Sequence, residues 1–317
     1  MSHTLRNALS VTTALVGLCL APHSQAAYGE VTVSGSTWTG RVDGSTKYTG
    51  TSRAAAQVAC LNAMSSGTIV LKNSGNNNGQ MRTKTNVRVD GAGTTTSGGG
   101  TTGALYAANA SNIGGVNMVY SSTDWYGHFW RTCNGQDMSG SRGTANKTFR
   151  IDNCSGGTGY NLTVGSPSDA GVSGSRGSDN LETYGIAGTN TAGTVTCNDR
   201  TDGCGTLLNY SSGFSFTANN ATRADFGGGY AGFRTANTNG KTTIGTVTST
   251  SCGRGYFSVS GSRDCTVSAL QVYTTSSHGV WLQTTYNTRV NSGTVRSGNP
   301  CSSITAGSGN YVAVSCQ

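Results

Sequence analysis

A repeat with a nearly constant period is the sequence feature that most narrows the folds open to this chain. Each unit begins with a short apolar string, and the five strings occupy residues 180–184, 205–209, 231–235, 255–259 and 279–283. The spacing between them falls within the range of about 20–50 residues that is typical of repeat architectures. Each unit also carries a second apolar strand and turns rich in Gly, Ser and Asn. A unit of this kind cannot bury its apolar side alone, so the repeat predicts stacked coils.

Short strands joined by tight turns predict an all-β fold, a right-handed parallel β-helix (solenoid) whose coils pair with those above and below. Leucine-rich repeats are shorter or carry a helix, and propeller blades are longer. Residues 51–64 break the pattern, because an alanine-rich stretch follows Thr51 and Ser52, either of which can serve as N-cap. We expect this short N-terminal helix to cap the open end of the stack.

The start of the predicted solenoid resembles a known superfamily. The alanine-rich helix, the Gly-Thr-Ile-Val-Leu strand at 67–71 and the Asn-Val-Arg-Val-Asp-Gly-Ala-Gly turn at 86–93 look like the N-terminal segment of pectate-lyase-like proteins. The resemblance implies an extracellular lyase or glycoside hydrolase that acts on polysaccharides, or a non-catalytic protein that binds them. The sequence lacks the Asn-Thr-Asp, Asp-Asp, Gly-His-Gly, Trp-x-Asp-His and Arg-x-Pro-x-x-Arg motifs of the best-known branches. No catalytic residue is therefore carried over.

The N-terminus has the pattern of a secretory signal peptide. Arg6 gives a positive start, residues 8–20 are apolar, and Ser24-Gln25-Ala26 is a small-residue cleavage site. The apolar run is too short to span a bilayer, and no second candidate follows. We expect a signal peptide at 1–26 and a single β-helix domain at 27–317, secreted to the extracellular space without a membrane anchor.

Cysteine usage agrees with export, since disulfides persist in oxidising compartments. Nine cysteines follow the signal peptide, and eight of them form close neighbours along the chain. The expected pairs are Cys133/Cys154, Cys197/Cys204, Cys252/Cys265 and Cys301/Cys316. Cys60 is left over, and the absence of any Cys-x-x-Cys motif weighs against a zinc site.

The charge balance indicates an anionic partner. Beyond residue 26 the chain has 20 basic and 13 acidic residues, and the basic ones are scattered without a run. A scattered distribution disfavours nucleic-acid binding, which needs a clustered basic footprint. An excess of positive charge still attracts a polyanion to a cleft. We expect an acidic polysaccharide as substrate and a monomeric protein.

Aligning the repeats predicts rows of side chains on successive coils, about 4.8 Å apart. One row, a step before the aligned strand, holds Asp179, Cys204, Tyr230, Arg254 and His278. Cleavage of a uronic-acid polymer by β-elimination needs a base, a proton donor for the departing oxygen, and positive charge beside the carboxylate. Tyr230 and His278 are proton-transfer groups and Arg254 stabilises charge, so these three are the candidate catalytic residues. The alternative is a row of polar turn residues bonded to loop backbone.

A second predicted row brings together two aspartates. Asp199 and Asp225 occupy equivalent positions six residues before their strands. Adjacent carboxylates share a proton or bind a cation, so Ca²⁺ bridging to the substrate suits a lyase and an acid pair suits a glycoside hydrolase. The hydrolase alternative draws on Asp179, Glu182, Asp199, Asp202 and Asp225. Asp225 paired with Arg223 on the surface is the simpler interpretation.

The strands themselves supply the candidate substrate-binding residues. The third position of the aligned strands holds Glu182, Leu207, Phe233, Phe257 and Trp281. This row either fills the solenoid interior or forms an outer platform for sugar rings, because a one-residue slip exchanges the two faces. We expect Glu182, Arg223, Arg234 and Trp281 to contact an anionic sugar, with polysaccharide lyase as the leading function.

Overall fold

The computed structural model describes residues 26–98, 103–121, 126–143, 147–154, 162–164, 181–200, 203–296 and 300–317. These residues form a parallel β-solenoid of about nine turns, which confirms the all-β coil prediction. Several predicted features lie outside the described residues: residues 1–25 of the signal peptide, Asp179, Asp202 and the side chain of Asp199. Within the described chain, no helix has the length and apolar character needed to cross a bilayer.

Sheet A contains the N-terminal strands. Its six strands are β1 (Ala27–Ser34), β2 (Thr37–Val42), β3 (Ser45–Gly50), β4 (Gly67–Leu71), β7 (Val87–Asp90) and β10 (Gly114–Val116). The strands β1, β2 and β3 form an antiparallel meander, and β1, β4, β7 and β10 pair in parallel. The repeat did not predict the meander, because the meander precedes the first repeating unit.

Sheets B and C carry the coils. Sheet B has thirteen strands: β5 (Gly75–Asn77), β8 (Thr95–Gly98), β11 (Val119–Tyr120), β13 (Arg142–Gly143), β15 (Leu162–Val164), β17 (Asn190–Arg200), β19 (Phe214–Ala224), β21 (Thr242–Cys252), β23 (Cys265–Thr275), β26 (Arg289–Val290), β27 (Gly293–Val295), β30 (Tyr311–Val312) and β31 (Ser315–Cys316). Sheet C has ten: β6 (Met81–Arg82), β9 (Leu105–Ala108), β12 (Tyr126–Arg131), β14 (Lys147–Asp152), β16 (Leu181–Tyr184), β18 (Thr206–Asn209), β20 (Ala231–Ala236), β22 (Arg254–Val259), β24 (Val280–Gln283) and β28 (Ser302–Ile304). A two-stranded pair completes the set: β25 (Thr285–Tyr286) and β29 (Gly307–Ser308).

The core is one continuous apolar column inside the coils. It runs from Val31 to Val295 and is filled by residues on the inward face of each strand. Aromatic rings contact one another along it, for example Phe216 and Phe233, which meet edge to face with centroids 5.3 Å apart. Burying each such side chain contributes about 1.5–3 kcal/mol, so stability accumulates coil by coil.

The predicted helix is present as α1 (Arg53–Asn62). Ser52 is its N-cap, and the Ser52 hydroxyl accepts a hydrogen bond from the backbone N–H of Ala55 at 3.2 Å. The helix packs against β1, β2, β3 and β6, at the N-terminal end of the coils. Gly40 on β2 permits this contact, since any side chain there would meet the backbone carbonyl of Ala56.

Two of the cysteine predictions receive clear answers. Cys301 and Cys316 form the expected disulfide, with Cα atoms 5.9 Å apart, and it ties the residue before β28 to the last strand, β31. The Cys252/Cys265 pair is wrong, and both residues are buried thiols. Cys265 begins β23 opposite Thr242, whereas Cys252 ends β21 opposite Thr275. Ten residues of extended strand, about 33 Å, therefore separate the two cysteines, well beyond the reach of a disulfide.

The other two predicted cysteine pairs, Cys133/Cys154 and Cys197/Cys204, involve residues that lie near each other in the structure. Cys133 and Cys154 are thiols in contact, and the backbone N–H of Cys133 lies 3.1 Å from Sγ of Cys154. Cys197 lies close to the residue that follows Cys204, since a Cβ built on Gly205 would be 3.2 Å from Cβ of Cys197. The Cys197/Cys204 disulfide stays a prediction. Cys60 is a buried thiol whose pKa is raised to about 11 by burial.

Removing the C-terminal disulfide is expected to destabilise the protein by about 3 kcal/mol, because the bond closes a loop with a sequence separation of 15. Urea unfolding of the Cys301→Ser/Cys316→Ser variant measures this loss. Reducing agent should shift the unfolding midpoint of the parent protein but not that of the variant. A parent protein whose Cys301 and Cys316 both react with maleimide before unfolding contradicts the prediction.

Candidate functional site

The outer face of sheet C carries the candidate site. Alternate residues of a strand point to opposite faces, and the inward residues Phe233 and Tyr256 lie fully buried in the core column. The outward residues of the same strands are Arg234 on β20 and Phe257 on β22, with Trp281 on β24. These three are paired in register on consecutive coils. Phe257 belongs to a small apolar cluster separate from the core, and Trp281 packs against it.

The observed register corrects the predicted alignment by one residue. The alignment placed Phe233 in one row with Leu207 and Phe257. In the structure Phe233 pairs instead with Thr206 on the preceding coil and with Tyr256 on the following one. Phe233 therefore leaves the predicted row for the interior of the solenoid.

Arg234 takes the outer position that the alignment gave to its neighbour. It pairs with Leu207 on one side and with Phe257 on the other. Gly232 explains this register. The position before Phe233 faces sheet B, where a side chain would collide with Ser249, and the equivalent position on the next coil is also a glycine, Gly255. A steric constraint from sheet B thus decides which residue of β20 faces outward.

Arg254 is the centre of a cluster of cations and aromatic rings. Its guanidinium carbon lies 4.6 Å from the ring centroid of Phe257 and 4.6 Å from that of Trp281. The rings of Phe257 and Trp281 stack with centroids 5.0 Å apart. We call the set Tyr230, Arg234, Arg254, Phe257, His278 and Trp281 the arginine–aromatic cluster.

Arg234 brings a second cation to the same place. Its guanidinium carbon lies 5.0 Å from the Phe257 ring and 5.4 Å from the Tyr230 ring. Burial and the nearby positive charge of Arg234 lower the pKa of Arg254, while the Asp225 carboxylate opposes this shift. Within the described part of the chain neither arginine forms an ion pair, and the Nε atom of each is buried without a hydrogen-bond partner. Two neighbouring unpaired cations attract an anion.

His278 lies flat against Trp281, with ring centroids 4.4 Å apart and planes 10° from parallel. Its Nδ1 atom is 2.8 Å from the hydroxyl of Ser277. Burial and the positive charge of Arg254 lower the pKa of His278 below its ordinary value. The imidazole is therefore neutral at pH 7, the form that accepts a proton.

The loop between Asp225 and Tyr230 borders the cluster. The Asp225 carboxylate accepts a hydrogen bond from the backbone N–H of Tyr230 at 2.6 Å, and the N–H of Gly227 donates to Ser276 Oγ at 2.9 Å. Gly253 lies directly beneath, since a Cβ there would come within 3.0 Å of the carbonyl oxygens of Asp225, Gly228 and Tyr230. These contacts hold the loop against the coil that begins with Arg254.

Of the three predicted catalytic residues, Arg254 and His278 share a row, whereas Tyr230 lies beside that row. Ala231, not Tyr230, pairs with Arg254, and the register carries His278 into the same row. Tyr230 precedes this row by one position, is 39% exposed and reaches the cluster through its ring contact with Arg234. The predicted alignment misplaced Tyr230 for the same reason that it misplaced Phe233: the coil that begins at Ala231 is shifted by one residue.

The predicted aspartate row is not formed as expected. The pairs Asn198–Thr222 and Arg200–Ala224 place Asp199 level with Arg223, two residues short of Asp225. Asp225 is buried, whereas Arg223 is exposed at the end of β19. Among the described residues, no group of three or more His, Cys, Asp or Glu side chains is arranged to hold a metal ion. The Asp225 carboxylate is bonded to the backbone N–H of Tyr230, and the Ca²⁺ site at Asp199 and Asp225 stays a prediction.

Glu182 lies in the outer row but forms an ion pair. Its carboxylate contacts Arg150 on the preceding coil, and Arg150 also bonds Asp152. Glu182 is buried and lies two coils from Arg234. Arg234 and Trp281, in contrast, both belong to the arginine–aromatic cluster.

Three supporting residues were not singled out from the sequence. Ser277 contacts the His278 ring, Ser276 accepts a hydrogen bond from Gly227, and Thr305 accepts one from Nε1 of Trp281 at 3.2 Å. The adjacency of Ser277 to His278 is visible in the sequence. The contact of Thr305 depends on the next coil and has no local signal.

Comparison with known proteins adds little to this geometry. No family model and no curated protein match the chain. A similar solved structure is the A-module of a mannuronan C-5 epimerase from Azotobacter vinelandii, at 9% sequence identity and a TM-score of 0.29. The alignment covers 84% of this chain and 95% of that one. At this level the similarity bears on neither activity nor substrate.

Proposed function

We propose that this protein is a secreted polysaccharide lyase of the pectate-lyase-like superfamily, which cleaves a uronic-acid-containing glycan by β-elimination at the arginine–aromatic cluster. The supporting observation is the pair of arginines without ion-pair partners, Arg234 and Arg254, beside a neutral histidine. Arginine forks bind carboxylates in two-point contacts, and aromatic faces accept the apolar faces of sugar rings.

The chemistry divides among three groups. The guanidinium of Arg254 stabilises the negative charge that develops on the substrate carboxylate as the neighbouring proton leaves. With Nδ1–H donating to Ser277, Nε2 of His278 keeps a lone pair and removes that proton. The electrons of the broken C–H bond form the new C=C bond, and the glycosidic C–O bond breaks. The Tyr230 hydroxyl, on the exposed side, donates a proton to the departing oxygen.

A glycoside hydrolase requires two carboxyl groups about 5–10 Å apart across the scissile bond. Near the cluster, Asp225 accepts a backbone hydrogen bond, and Glu182 is paired with Arg150. The unpaired charges at the cluster are cations, which favours an anionic substrate and β-elimination over hydrolysis. The mechanism contains no step through Ca²⁺.

Incubation with alginate, polygalacturonate and hyaluronate, beside neutral dextran, tests the proposal. We expect one acidic polymer to yield an unsaturated product that absorbs ultraviolet light, and dextran to stay intact. Activity should persist in EDTA. New reducing ends without ultraviolet absorbance would indicate the hydrolase instead. Retention by a polymer without new chain ends would indicate a non-catalytic binding solenoid.

A further inference from the structure

The outer row of sheet C continues far beyond the arginine–aromatic cluster. Register pairs connect it through nine successive coils, from β6 to β24. The row reads Arg82, Tyr106, Phe129, Arg150, Glu182, Leu207, Arg234, Phe257 and Trp281. Cations and aromatic rings therefore occur at both ends of the row. Its middle is occupied by the Arg150–Glu182 ion pair and by Leu207.

The N-terminal end repeats the composition of the cluster. Phe129 contacts Tyr106 and Tyr126, with ring centroids 5.6 Å and 5.0 Å apart, and all three rings are partly exposed. Arg82 is exposed and Lys84 is partly exposed. We call Arg82, Lys84, Tyr106, Tyr126 and Phe129 the N-terminal patch.

A cavity of about 310 Å³ opens at this patch. It lies between Leu61 and Asn62, at the end of α1, and the residues Arg82, Lys84 and Tyr106. No acidic residue lines it. Within the described chain, neither Arg82 nor Lys84 forms an ion pair through its side chain. A concave site with unpaired cations and an aromatic wall suits an anionic ring-shaped ligand.

We infer that the N-terminal patch is a second, non-catalytic binding site for the same acidic glycan, an inference that rests on the proposed function. The cavity lining lacks the histidine that serves as base in the proposed mechanism, so we assign the patch to binding alone. Four coil steps separate Phe129 from Arg234, a distance of about 19 Å at the usual strand spacing.

Two sites on one face have a consequence for ligand length. A chain long enough to reach both sites binds the second one intramolecularly, which raises its overall affinity. A trisaccharide held at the arginine–aromatic cluster gains nothing from the patch. Dependence on chain length therefore distinguishes this inference from a single site.

Affinity electrophoresis in gels cast with alginate, polygalacturonate or hyaluronate tests the inference on the full mature chain. In the gel that retains the wild type, Tyr106→Ala and the double variant Arg82→Ala/Lys84→Ala should each weaken apparent affinity about tenfold, the scale of an interface anchor. Affinity for a trisaccharide of the same polymer should not change. The matched control is Tyr273→Ala/Arg296→Ala, which removes a cation–aromatic pair 5.4 Å apart on sheet B.

The outcomes separate the two proposals. Patch variants with wild-type retention and an unchanged melting temperature overturn the second site and leave the lyase standing. A retained wild type that forms no unsaturated product, together with weakened patch variants, overturns the lyase and supports the site. A wild type retained by none of the three polymers overturns both. Tyr106 packs against Phe129, so Tyr106→Ala could lower the melting temperature by itself. In that case the retention of Arg82→Ala/Lys84→Ala, whose side chains lie at the surface, tests the second site.

Discussion

Arg254→Ala and His278→Ala should each lower turnover on the cleaved polymer at least about a hundredfold, the usual scale for a charge-stabilising donor or a positioned proton-transfer group. Arg254 contacts the rings of Phe257 and Trp281, and in the proposed mechanism its guanidinium stabilises the charge on the substrate carboxylate. His278 is held by Trp281 and Ser277 with a lowered pKa. Initial rates followed by ultraviolet absorbance measure both losses.

The pH profile links these two residues. Because the pKa of His278 is lowered, the acid limb of the activity should lie below the ordinary histidine value of about 6.5. Arg254 contributes to that lowering, so Arg254→Gln should move the acid limb of the residual activity to higher pH. A histidine with a merely structural role would not produce this displacement.

The controls concern folding and position. Neither side chain belongs to the core column, so both alanine variants should melt close to the wild type. Tyr273→Ala/Arg296→Ala, on the other long sheet, should keep full turnover. Near-normal rates in both Arg254→Ala and His278→Ala would move the reaction to another part of the surface.

The coil architecture was accessible from the sequence because each unit repeats the same local pattern. Apolar strings at a nearly constant spacing, separated by Gly, Ser and Asn turns, leave few folds besides a solenoid, and Ser52 marks the start of the helix that follows it. The Cys301–Cys316 bond followed from spacing alone. Spacing failed for Cys252 and Cys265. Cys252 ends β21 and Cys265 begins β23, and because these long strands pair in parallel, the two cysteines lie at opposite ends of the paired strands although they are close in sequence.

The site was harder to predict because it depends on register to a single residue. The alignment placed Arg254 with His278 in one row and Phe257 with Trp281 in another, as the register has them, yet it put Phe233 in the row position that Arg234 occupies. The apolar pattern at Ala231-Gly232-Phe233 suits either register. The decisive constraint is steric, at Gly232, and it depends on Ser249 in another sheet. The residues 205, 232, 255 and 279 are all glycine, a signal that a glycine-anchored alignment would have used.

His128 should make the protein sensitive to mild acid, with a loss of about 2 kcal/mol of unfolding free energy between pH 7 and pH 5. The side chain is fully buried against Tyr120, Trp130 and Phe149, and its Nε2 lies 3.0 Å from the Gly115 carbonyl. Burial lowers its pKa to about 3. A lone histidine is more often a packing or surface residue than a catalytic one, and the burial of His128 agrees with the packing interpretation.

The sign follows from which state binds the proton. Unfolded His128 titrates near 6.5, so below that pH the unfolded chain binds a proton that the folded chain excludes. Stability is therefore complete above about pH 6.5 and falls continuously toward pH 3, by about 4–5 kcal/mol in all at 1.36 kcal/mol per pKa unit. Ordinary carboxylates titrate near 4, so the fully buried His128 dominates the change in stability between pH 7 and pH 5.

Urea unfolding at pH 7, 6 and 5 measures the effect, and His128→Gln is the matched variant. Glutamine keeps an N–H donor for the Gly115 carbonyl but takes up no proton in this range, so its stability should be nearly flat across the interval. Any cost of repacking lowers the glutamine variant equally at every pH and leaves the slope interpretable. Because the pKa of His278 is also lowered, His278→Gln should reduce the slope as well, but by less than His128→Gln, since the His278 side chain is partly exposed. Equal slopes in the wild type and His128→Gln would mean that another group, not His128, accepts the proton on unfolding.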